Sequence, residues 1–148
     1  MRISTTTHYA SRLLLDLALH ADSAPIPASK LSEHTGIPVK FVEKIVRPLK
    51  AAGFVKSVRG AMGGHYLGCQ PYDITLGSVV RLMDGGIRLS QCSANDAGCN
   101  ACHECKTREG WLGVTEKLER ELDSITLADM LGSRRPGCWH MAMTGTEG

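Results

Sequence analysis

The stretch from residue 28 to residue 67 constrains this chain more tightly than any other. Ala28 to Thr35 reads as a short helix, and Gly36 is placed to stop it in the left-handed conformation. Ile37-Pro38 leads into a second helix over Val39 to Ala52. Its apolar face is Phe41, Val42, Ile45, Val46 and Leu49, and Lys40, Glu43, Lys44, Arg47 and Lys50 take the other side. Pro48 falls inside that pattern and is expected to kink the helix or interrupt its bonding near residue 44. Phe54-Val-Lys-Ser-Val58 alternates like a half-buried strand, Arg59-Gly-Ala-Met-Gly-Gly64 is a glycine-rich turn, and His65-Tyr66-Leu67 is the return strand. Two helices around a glycine turn, followed at once by a hairpin, have the order of a winged helix-turn-helix. In that arrangement the second helix enters the major groove of double-stranded DNA, and the basic tip of the hairpin meets phosphate or the minor groove.

Further helices flank this unit. The first spans about Ser4 to Ala21, with Tyr9, Leu13, Leu14, Leu17 and Ala18 at helical spacing and Arg12, Asp16 and His20 on the opposite face. Ile74 to Met83 is another short amphipathic helix, closed by Asp84-Gly85-Gly86. A long one runs from about Arg108 to Ser124. Trp111, Val114, Leu118, Leu122 and Ile125 form a narrow stripe on it, opposite Glu116, Lys117, Glu119, Arg120, Glu121 and Asp123. Such a stripe suits a helix-mediated dimer, and equally suits packing on its own domain. Thr126 to Leu131 adds one turn. The expected fold is therefore mainly α with a small β-hairpin: a winged helix-turn-helix over residues 1–84, a cysteine-rich loop over 85–107, a dimerisation helix over 108–131 and a flexible tail over 132–148.

Charge divides along the chain. Residues 1–72 hold nine Lys/Arg against four Asp/Glu, whereas residues 73–148 hold eight against eleven. A basic first half points to a polyanionic partner. No apolar run approaches the ~20 residues of a membrane span, and the start of the chain lacks a secretory apolar stretch. The expected location is cytoplasmic, with no membrane partner.

Four of the six cysteines, Cys92, Cys99, Cys102 and Cys105, fall within fourteen residues, while Cys69 and Cys138 stand apart. In a reducing compartment this density reads as metal or redox chemistry rather than disulfides. Thiolates are soft ligands for iron–sulfur clusters, zinc or cuprous ions. Structural zinc takes two short ligand pairs across a longer spacer, which this compact loop does not offer. Residues 99–105 match the first part of a bacterial ferredoxin run, but residue 109 is Glu and no second set exists. The sequence carries no nucleotide loop and no nucleophile motif, so a redox enzyme is disfavoured. His34 is expected near the helix-turn-helix surface, and His20 and Cys69 are expected to be structural.

Together these segments resemble the Rrf-two family of bacterial winged-helix regulators, the IscR/NsrR-type iron–sulfur transcription regulators. The resemblance covers residues 1–131. It is carried by Leu14-Leu-Asp-Leu-Ala-Leu19, Leu31-Ser-Glu-His-Thr-Gly-Ile37, Leu49-Lys-Ala-Ala-Gly-Phe-Val55, Ser57-Val-Arg-Gly60, Gly63-Gly-His-Tyr-Leu67, Ile74-Thr-Leu-Gly77 and Ile125-Thr-Leu-Ala-Asp129. It implies a homodimeric DNA-binding regulator, a repressor, gated by an iron–sulfur cluster that senses iron, redox state or nitric oxide. Cys92, Cys99 and Cys105 align with the family's three cysteine ligands. One branch has a His three residues after the last Cys, and here that position is Arg108, which stays protonated and cannot ligate. The fourth ligand is then Cys102, His8 donated to the partner's cluster, or His103 or Glu104. Thiolate count leans toward four irons over two.

For DNA, the resemblance and the helix pattern select Val39, Lys40, Glu43 and Lys44 on the recognition helix, Arg59 with Gly60 at the wing tip, and Ser29 and Lys30 as backbone contacts. The alternative keeps the DNA-binding unit and replaces the cluster by a zinc site or a thiol–disulfide switch.

Overall fold

A computed structural model describes residues 2–89 and 105–132. Cys92, Cys99, Cys102, His103, Glu104 and the 133–148 segment lie outside the described residues. The elements are α1 (Thr5–Leu19), α2 (Ala28–Thr35), α3 (Val39–Ala51), β1 (Val55–Val58), β2 (Gly64–Leu67), α4 (Leu76–Asp84), α5 (Lys106–Ser124) and α6 (Leu127–Gly132).

The chain is built around α1. Ser4 caps it, its side chain accepting from the Thr7 N–H at 3.1 Å and donating to the Asp84 carboxylate at 2.5 Å, which ties the start of α1 to the end of α4. Ala10, Leu13, Leu14 and Leu17 put one face of α1 wholly inside, against Leu31 and Ile37, Val42, Ile45 and Leu49 of α3, Val55 of β1, and Ile74, Val79 and Leu127. One core therefore unites the helix-turn-helix, the hairpin and α6. At 1% exposure, Leu127 places the last helix inside this core.

α3 continues through Pro48 to Ala51, and the interruption expected near residue 44 is confined to one bond. Proline removes only the bond to the carbonyl of Lys44, an exposed position, while Ile45, Val46 and Leu49 stay buried around it and hold the helical path. β1 and β2 pair antiparallel with Val55 opposite Leu67 and Val58 opposite Gly64. Ile26 extends this hairpin by one residue. Its N–H donates to the His65 carbonyl and its carbonyl accepts from the His65 N–H, each at 2.8 Å. On the far side, Thr75 pairs with Thr126. Leu76 donates to the Ile125 carbonyl and Leu127 to that of Ile74, which returns the chain from α5 to the core.

Asp16 departs from the sequence reading. It was expected on the polar outer face of α1, yet it is 8% exposed, because α2 crosses α1 there and covers it. Phe41, at the edge of the apolar face of α3, is 49% exposed and packs edge-to-face with Tyr9, with ring centroids 6.5 Å apart.

Candidate nucleic-acid interface and cysteine ligands

Gly36 ends α2 at φ +70°, a conformation that glycine adopts without steric cost. The turn it makes is pinned from both sides. The Arg12 guanidinium donates to the Thr35 carbonyl at 2.5 Å, and the Thr35 hydroxyl donates to the Leu31 carbonyl at 2.6 Å. Ile37 is buried immediately after it, so the direction of α3 is set by the core. Val39, Lys40, Glu43, Lys44 and Arg47 lie on the exposed side of α3. Ser29 and Lys30 are exposed in the first turn of α2. Lys30 lies 3.4 Å from Glu33, an exposed pair worth little to stability.

Arg59 and Gly60 occupy the tip of the hairpin, and both are exposed. Gly60 stands at φ +111°, and the Gly63 N–H donates to its carbonyl at 2.9 Å, closing the turn. Met62 beside them is 90% exposed. One pair in from the turn, His65 Nδ1 lies 2.7 Å from the Ser57 hydroxyl. Burial pushes the His65 imidazole below its ordinary value, and the nearby Lys50 charge adds to that, against Glu43. His65 thus joins the wing to Ile26 through its backbone and to Ser57 through its ring.

The cysteine side of the site meets the fold at Cys105, the N-cap of α5. Its Sγ lies 2.9 Å from the Thr107 hydroxyl. That contact, followed by the Arg108 backbone N–H and the Arg108 charge, draws the thiol below its ordinary value. Cys69, in contrast, is half-buried, and burial followed by the Asp73 charge pushes its thiol up. His8 is exposed in the first turns of α1, on the rim of an apolar cleft of about 240 Å³ floored by Leu15, Val80, Leu122 and Met130.

The α5 stripe divides. Leu118, Leu122 and Ile125 are half-buried on the α4 side of the chain, whereas Trp111 and Val114 are 51% and 49% exposed. Sequence reasoning missed one cluster altogether. Asp16 and His20 of α1 meet His34 of α2, with His20 Nδ1 3.2 Å and His34 Nδ1 3.0 Å from separate carboxylate oxygens. The i, i+4 spacing of Asp16 and His20 is visible in the sequence. The arrival of His34 depends on how α2 packs on α1.

A basic recognition helix followed by an anchored, Arg-tipped wing defines a winged helix-turn-helix transcriptional regulator, not an enzyme. The chain belongs to the Rrf2 family, whose model, described as an iron-dependent transcriptional regulator, matches residues 3–133. It is 33% identical over 131 residues to the HTH-type transcriptional regulator IscR of Aliivibrio salmonicida, a match covering 88% of this chain and 77% of that one. Among solved structures it resembles T. potens IscR, with 34% identity, a TM-score of 0.72 and coverage of 89% and 87%. It also resembles CymR, the global cysteine regulator of B. subtilis, with 30% identity, a TM-score of 0.73 and coverage of 89% and 97%. No helix among the described residues is long and apolar enough to cross a membrane.

Proposed function

We propose that this chain is a cytoplasmic, homodimeric repressor whose affinity for its operator is gated by an iron–sulfur cluster. Cys92, Cys99 and Cys105 would hold the cluster, with Cys102 or His8 from the partner subunit as fourth ligand, and thiolate count favours four irons. The observation that carries this reading is Cys105. It ends a loop with four thiols, its own thiol is drawn below its ordinary value by Thr107, and it caps the helix that displays Trp111 and Val114. When bound, the cluster supplies a centre that reacts with oxidants and nitric oxide and is lost when iron is scarce. The chain's own residues do the rest. Cys105 fixes the end of the loop to the first turn of α5. Trp111 and Val114 offer an apolar patch to a second copy. Val39, Lys40, Glu43 and Lys44 face bases and phosphates, Arg59 with Gly60 reaches the minor groove or phosphate, and Ser29 and Lys30 contact the backbone. The units serving these roles are residues 1–84, 85–107 and 108–131.

A second reading, a zinc site or thiol–disulfide switch in place of the cluster, is favoured by Arg108 standing where a His ligand is found in one branch and by the likeness to CymR. One experiment separates the two. Protein purified without oxygen is assayed for iron, sulfide and zinc. Its operator is selected from random duplexes, and its affinity is measured with and without the metal. Iron and sulfide in equal amount, with an affinity that changes on their removal, is the expected result. Zinc, or no metal, with an affinity set by thiol oxidation supports the second reading. No affinity for any duplex refutes both.

A further inference from the structure

Asp16, His20 and His34 are not among the residues proposed to hold the cluster or to contact DNA. Asp16 is a carboxylate inside the protein whose partners among the described residues are two imidazoles. The guanidinium of Arg12, one turn earlier on α1, is engaged with the Thr35 carbonyl. Both imidazoles turn the same atom, Nδ1, toward it, and that of His20 also lies 3.0 Å from the Asp16 backbone carbonyl oxygen. Their rings stack with centroids 4.5 Å apart, and the three ligand atoms lie within 4.8 Å of one another. An ion bonded at about 2.0–2.2 Å sets neighbouring ligands roughly 3–3.5 Å apart, so the observed 3.0 and 3.2 Å separations already have the required size. The buried carboxylate supplies negative charge that burial makes costly without a counter-ion. The imidazole edges are partly exposed, at 41% for His20 and 32% for His34, which leaves an entry path and room for water ligands.

We infer that Asp16, His20 and His34 form a binding site for a divalent transition cation of the zinc class, which ties the end of α1 to the end of α2. Two imidazoles and one carboxylate suit zinc, cobalt and nickel better than the hard cations magnesium or calcium, which take oxygen ligands. The site sits five residues before Val39, the first residue of the recognition helix. Occupancy therefore bears on the turn that aims α3, and does so without the cysteines.

The test uses the full chain in equilibrium dialysis against Zn²⁺, comparing the native sequence with His34→Gln and with His20→Gln. The cysteines are common to all three proteins, so their share cancels in the difference. The expected result is one equivalent of zinc fewer per chain in each variant. Cobalt should give d–d absorbance that both variants lose while any sulfur-to-cobalt band persists. Zinc at a hundred times the dissociation constant should shift the folding equilibrium of the native sequence about a hundredfold more than that of either variant. His20 caps α1 near the surface, so its variant reports even where His34→Gln unfolds. Equal stoichiometry in all three proteins would overturn the inference and leave the cluster as a set of imidazole–carboxylate hydrogen bonds.

Discussion

Replacing Gly64 by Ala tests whether the wing is held by backbone contact. A Cβ built on Gly64 would lie 2.5 Å from the Ile26 carbonyl oxygen and 2.7 Å from the Pro27 nitrogen, and neither atom is the far end of a flexible side chain. The hairpin or the 26–27 segment must move. The two 2.8 Å hydrogen bonds between Ile26 and His65 sit one residue away and would be stretched by that movement. Overpacking of this kind costs about 1–3 kcal/mol, and each weakened bond adds up to about 1 kcal/mol. A total near 3 kcal/mol lowers the melting midpoint by roughly 6–12 °C for a chain of this size. The control is Gly60→Ala. That residue has φ +111° and nothing within 4 Å of an added Cβ, so it carries only the conformational cost of about 1–2 kcal/mol. Calorimetric melting of the two variants beside the native chain gives the comparison. Were Gly64→Ala to melt no lower than Gly60→Ala, the contact with residues 26 and 27 would not be what positions the wing.

Other consequences are open to measurement. Leu127→Ala should cost about 2–5 kcal/mol in denaturant unfolding, because a 1% exposed side chain in α6 completes the core under α1. Arg59→Ala should weaken operator binding by about 5–100-fold with no change in melting, read by fluorescence anisotropy across a salt series. Trp111→Ala combined with Val114→Ala should shift the chain toward monomer in sedimentation while leaving its melting within about 1 kcal/mol, since both side chains are half exposed in the single chain. The Arg81 guanidinium holds the Asp123 carboxyl below its ordinary value, so the stabilisation it gives is present above about pH 4 and is lost as pH falls through the lowered native value. Asp123→Asn should flatten that acid limb by no more than about 1 kcal/mol, because the pair is 42–47% exposed and screened by water.

The fold was legible where the chain announces itself locally. Gly36 and the 3.6-residue spacing place α2 and α3 within a residue, and the alternation 54–58 with its glycine turn places the hairpin. Pro48 costs the bond at Lys44 without ending the helix, because a helix already held by Ile45, Val46 and Leu49 tolerates one missing bond at an exposed residue. What local pattern could not supply was contact between distant segments. One residue, Ile26, bridges to the hairpin at His65 without any strand-like run around it. Asp16 reads as an outer-face charge until α2 is laid over it. The narrow stripe on α5 reads the same whether it faces its own domain or a partner, and only the fold divides it into a packed end and an exposed one. The exposed positions on α3 and the wing tip followed from periodicity alone, because a polar face opposite a buried one needs no tertiary knowledge.

The way α5 is held gives it the mechanics of a cantilever. Its last turns are clamped by the Arg81–Asp123 contacts at 2.6 and 3.1 Å and by the strand-like pairing of Leu76 with Ile125. Its first turn, at Cys105, is the far tip of a rod about 28 Å long. Displacement along such a rod grows with distance from the clamp. A rotation of about 5° that scarcely moves Asp123 carries Trp111 by about 1.6 Å and Cys105 by more than about 2 Å. A force applied at Cys105 acts through the longest arm the helix provides, and an angle set there reaches the clamp, and through it the winged domain, as torque on α4.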